Sequence, residues 1–179
     1  ILRHLEGLSG DAREALGIAS LVGRQADDGL LGQITGWPQQ RIDGALDELV
    51  RRHVLEETPA GGLQFLHDKI REVGEESLPA AQAGRSHLAI ARAIQVADPA
   101  PSPARKARLA HHFARGGEAA EARHLAWEAA PELMRLYAHG EAQKLLRLSL
   151  SLSVAPTNQC VKERLLLEEK AALIAIANV

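Results

Sequence analysis

One break in rhythm constrains this chain more than any other feature. Up to Arg52, and again from Asp68 onward, apolar residues recur at helical intervals, whereas between them they fall into short alternating runs. Val54-Leu55-Glu56-Glu57 and Leu63-Gln64-Phe65-Leu66 read as strands, and Thr58-Pro59-Ala60-Gly61-Gly62 between them is rich in turn formers. A chain with one hairpin in an otherwise helical sequence has few architectures open to it.

Upstream of the hairpin the boundaries are local. Ser9 followed by Asp11, Arg13 and Glu14 reads as a helix start, with Ala15, Leu16, Ile18, Ala19 and Val22 as its apolar positions and Gly23 as its stop. A short helix is expected from Asp27 to Thr35, closed by Gly36. Pro38 suits the first turn of a third helix, 38–52, whose Ile42, Leu46, Leu49 and Val50 form a one-sided stripe. Three helices and then a hairpin predict a winged helix-turn-helix over 1–78.

Everything after Asp68 reads helical, with helices expected near 68–77, 80–96, 103–115, 118–138, 141–153 and 157–177. Pro79, the Pro-rich stretch 98–103, Gly116-Gly117, Gly140 and Pro156 separate them. Such helices on short loops predict antiparallel helical hairpins over 79–179, with a tetratricopeptide-like rhythm in 103–153. Ala110, Ala119, Ala122 and Ala126 are expected where paired helices meet. The fold class expected is therefore mainly α.

Composition supports helix-on-helix packing: aromatics are only 3%, and much of the 46% hydrophobic share is alanine. No apolar run approaches the roughly 18 residues of a membrane span, so a cytoplasmic chain without a membrane partner is the expectation. The start at Ile1 and the stop at Val179 inside an apolar run predict a fragment of a longer protein. Charge is uneven. Residues 1–78 hold 8 Lys+Arg against 14 Asp+Glu, net −6, and 79–179 hold 13 against 9, net +4. DNA binding rests on neutralising phosphates with Lys and Arg, so the acidic half argues against a DNA contact by the 38–52 helix, despite Gln39, Gln40, Arg41, Arg51 and Arg52.

Several blocks point to a family. Phe65-Leu66-His67-Asp68-Lys69-Ile70-Arg71-Glu72-Val73, then Glu76-Ser77-Leu78-Pro79, resembles a segment that follows the ATPase core in bacterial signal-transduction ATPases with numerous domains, among them the large LuxR/MalT-type regulators. Ala45-Leu46-Asp47-Glu48-Leu49-Val50-Arg51-Arg52, Arg85 to Ile94 and Leu109 to Glu118 are similar to further blocks in the same order. Glu75 departs from the pattern, which usually has tyrosine there. The resemblance implies a nucleotide-binding domain ahead of Ile1, since this sequence holds no P-loop motif. It also implies that the chain is not itself an enzyme and carries no cofactor of its own, ADP or ATP belonging to the longer protein.

The resemblance singles out His67 and Asp68. In related immune receptors a histidine at this junction donates to the β-phosphate of ADP and holds the closed state; Asp68 would cap the following helix through its carboxylate. The partners implied are the protein's own nucleotide-binding domain and a small-molecule or protein inducer sensed by the repeats. The blander reading makes His67 a junction residue. Two other functions stay open: a DNA-binding winged helix with a helical dimerisation tail, and a plain protein-binding repeat scaffold.

Other residues are read structurally. Adjacent His111 and His112 point to different sides of a helix, and with His124 they make no zinc pattern. Trp37, Trp127 and Tyr137 are expected as core fillers rather than a ligand groove. Arg105, Lys106, Arg108 and Arg115 are expected on a solvated face. The lone Cys160 has neither a disulfide partner nor the surroundings of a nucleophile.

Overall fold

The computed structural model describes residues 5–26, 28–59 and 61–152. The helix expected at 157–177, with Cys160, lies outside these residues. Among the described residues the chain is mainly helical with one small antiparallel sheet. It divides into two compact units, Ile1–Ala93 and Ile94–Val179. No described helix is long and apolar enough to cross a membrane.

The first unit opens with α1 (Gly10–Val22), β1 (Gln25–Ala26), α2 (Asp28–Thr35) and α3 (Gln39–Arg51). The Ser9 side chain accepts from Ala12 N–H at 3.1 Å and caps α1, and Pro38 is the N-cap residue of α3. Gly36, at φ +67, follows α2 in a conformation costly for any side chain. Next come β2 (Leu55–Glu57), β3 (Leu63–Phe65), α4 (Asp68–Glu76) and α5 (Ala80–Ala97), which runs past the division between the units.

The sheet is ordered β1-β3-β2, with both pairs antiparallel. β2 and β3 are the expected hairpin, and Leu66 N–H donates to the Val54 carbonyl at 3.1 Å, prolonging the pairing beyond the assigned strands. β1 was not expected. Two residues are too short to show alternation; they become a strand because Gln25 faces Gln64 and Ala26 faces Leu63. Leu16, Ile18, Leu31, Ile42, Leu49, Val54, Leu55, Phe65 and Ile70 belong to one core cluster that draws on α1 through α4 and the sheet.

α1 and α4 approach closely because two positions lack side chains. A Cβ at Gly74 would collide with the Ser20 hydroxyl and lie 3.0 Å from Leu16 Cδ1, and one at Gly17 would lie 2.5 Å from Leu78 Cγ. The buried Ser20 hydroxyl donates to the Leu16 carbonyl at 2.7 Å, so its polarity is satisfied inside its own helix.

The second unit contains α6 (Pro103–Arg115), α7 (Ala119–Arg135) and α8 (His139–Ser151). Ser102 caps α6, and Pro103 opens it where a missing N–H costs nothing. α7 packs against both α6 and α8. Ala110, Ala122, Ala126, Ala129, Ala130 and Ala142 are all fully buried, as close packing of helices requires. Ala119 is the exception among the expected contact positions, being only half-buried at the start of α7.

The two helix connections repeat one turn. After α6, Gly117 N–H donates to the Ala114 carbonyl and Glu118 N–H to that of Phe113; after α7, Tyr137 N–H donates to Met134 and Ala138 N–H to Leu133. This double closure takes a left-handed residue at its corner. Gly117 fills that corner at φ +89, and Tyr137 does so at φ +59. α3 ends in the same way, with His53 at φ +56 and bonds from His53 to Val50 and from Val54 to Leu49.

Candidate functional site

The junction between β3 and α4 is fixed by two buried side chains, Phe65 on the strand and Ile70 on the helix. Between them the chain turns outward, leaving His67 and Asp68 exposed. His67 is the N-cap residue of α4, at φ −141 and ψ 137. Its carbonyl accepts from Ile70 N–H at 3.0 Å and Arg71 N–H at 3.4 Å. The side chain makes no cap bond.

Asp68 therefore differs from its expected role. It is the first residue of α4 rather than the cap, one place too late for its carboxylate to act as an N-cap side chain, although its charge still suits the helix N-terminus. Its Oδ1 lies 4.0 Å from Arg24 Nε, with both side chains about two-thirds exposed (65% and 64%). Such a pair is heavily screened and fixes little. Arg24 is brought here by β1, since Phe65 N–H donates to the Arg24 carbonyl at 3.0 Å.

The outward face of α3 is acidic. Asp43 and Asp47 are exposed one turn apart, and with Asp28 and Glu57 they line a cavity of about 440 Å³ that also holds Arg51. The other basic residues of this helix turn elsewhere. Arg41 Nη2 and Nε donate to both oxygens of Asp11 at 2.6 and 2.9 Å, and its guanidinium stacks 3.9 Å from the centre of the Trp37 ring. Arg52 Nη2 donates to the Gly7 carbonyl at 3.3 Å. Glu48 accepts from the Ser9 hydroxyl and backbone N–H at 2.6 and 2.8 Å, which holds its carboxyl below the ordinary range.

Nearby in the first unit, Leu5, Leu8, Leu16, Val73, Leu78 and Pro79 line a second cavity, of about 660 Å³. Arg13, Glu6 and Glu14 stand among them, and Gln82 Nε2 donates to Glu14 Oε1 at 2.9 Å.

In the second unit, Lys106 is not on a solvated face. Its side chain is only 21% exposed, and the ammonium lies 3.2 Å from Glu132 and 3.4 Å from Glu128, tying α6 to α7. The Glu132 hydrogen bond leads in raising its pKa. Arg105 pairs with Asp98 at 2.5 Å. His112 is buried and His111 exposed, on different sides of α6. Partial desolvation of the His111 ring by the protein around it lowers its pKa even though the residue as a whole is exposed, with the Glu141 charge acting the other way. Among the described residues no His, Cys, Asp and Glu side chains cluster as a metal site. Trp37 and Trp127 are half-buried, and Trp37 packs on the core. Tyr137 is no core filler: at 85% exposure it projects from the corner after α7, its ring edge-on to His139.

The Arg41–Asp11 and Glu48–Ser9 contacts, and the basic residue at the apolar cavity, escaped sequence reasoning because partners some 30 residues apart or more leave no periodic signal. No protein-family model, curated protein or solved structure matches this chain.

Proposed function

We propose that this chain is a winged-helix domain followed by the start of a tetratricopeptide-like array, serving as the switch and sensor segment of a bacterial signal-transduction ATPase that regulates transcription. The observation that carries the reading is the element order. Helix, strand, helix, helix and hairpin, with the early strand β1 paired to the second hairpin strand β3, is how a winged helix is wound. The repeat reading draws its support from the shared turn after α6 and α7 and from the alanine-lined packing of α6, α7 and α8.

Within this reading the domain works by docking onto the protein's own nucleotide-binding domain, not onto DNA. An α3 whose outward face carries Asp43 and Asp47, with Arg41 held by Asp11, favours that choice. His67 is the residue that senses nucleotide: its exposed ring makes no bond to another described residue and stands at a helix start, where a phosphate is favoured. A ligand on the repeats would shift the protein between closed and open states through its unequal affinity for the two.

The test uses the regulator carrying both this segment and its nucleotide-binding domain. A bond from His67 to a phosphate is worth about 1.5–3 kcal/mol, so His67→Ala should release ADP roughly 10- to 150-fold faster and raise basal transcriptional output. Unchanged ADP release in a normally melting variant would reduce His67 to a junction residue.

A further inference from the structure

We draw no further inference here: the strongest candidate, the apolar surface patch that Leu136 and Tyr137 form at the exposed corner after α7, carries none because nothing in the structure shows what covers it.

Discussion

Arg41 grips Asp11 through two hydrogen bonds across 30 residues of sequence, joining α3 to the first turn of α1. The bond to Arg41 is the main reason the Asp11 carboxyl sits below the ordinary range, and the Ser9 bonds do the same for Glu48. Both contacts tie α3 to the start of α1, which gives the unit an acid-sensitive seam.

A group with a lowered native pKa stabilises the fold fully above its unfolded value, about pH 4, and loses that contribution as pH falls through the native value. The Asp11→Asn/Glu48→Gln double variant should therefore melt below wild type at neutral pH. The two melting curves should converge on acidification from about pH 4 downward. Parallel curves over that range would show that the seam does not couple to folding.

Duplex DNA should not be a specific ligand. Non-specific binders reach Kd values of roughly 10⁻⁴–10⁻⁶ M at physiological salt by neutralising phosphates, and α3 offers Asp43 and Asp47 instead. Fluorescence anisotropy should register at most weak, salt-sensitive binding. The Asp43→Lys/Asp47→Lys variant should bind more tightly at low salt. Submicromolar binding of a defined duplex by the wild type would revive the DNA-reading alternative.

Tyr137 and Gly117 occupy the same corner of the same turn, so exchange should act in opposite directions. A side chain in the left-handed region costs roughly 1–2 kcal/mol, which glycine avoids at some cost in chain entropy. Tyr137→Gly should raise stability by up to about 1 kcal/mol, and Gly117→Ala should lower it by about 1 kcal/mol. Denaturant melts of both variants check this; a destabilised Tyr137→Gly would mean the edge-on contact with His139 outweighs the backbone strain.

Gly74→Ala should cost about 1–3 kcal/mol, because a methyl there meets the Ser20 hydroxyl in a packed contact. Ser20→Ala removes the obstructing atom, so the double variant should be more stable than the sum of the single losses. Strict additivity would show that α1 and α4 separate rather than collide.

Much of the architecture is decided within a few residues of itself. Ser9 and Ser102 start helices by satisfying free N–H groups, Gly23 and Gly36 stop them, and the hydrogen bonds between Thr58 and Gly62 close the hairpin. These effects act inside a single window of chain, so composition and spacing reveal them, and the position of exposed His67 between strand and helix follows from the same signals. Tertiary structure alone decided the rest. Gln25-Ala26 is a strand only because β3 lies beside it, and Asp68 loses the cap to His67 because pairing at β3 sets where α4 begins. His53 and Tyr137 take left-handed corners because Val54 and Leu133 are buried there. Arg41 finds Asp11, and Arg13 its apolar cavity, only once α1 packs against α3 and α4. Contacts between distant segments depend on the folded path of the chain, and no local pattern of residues records that path.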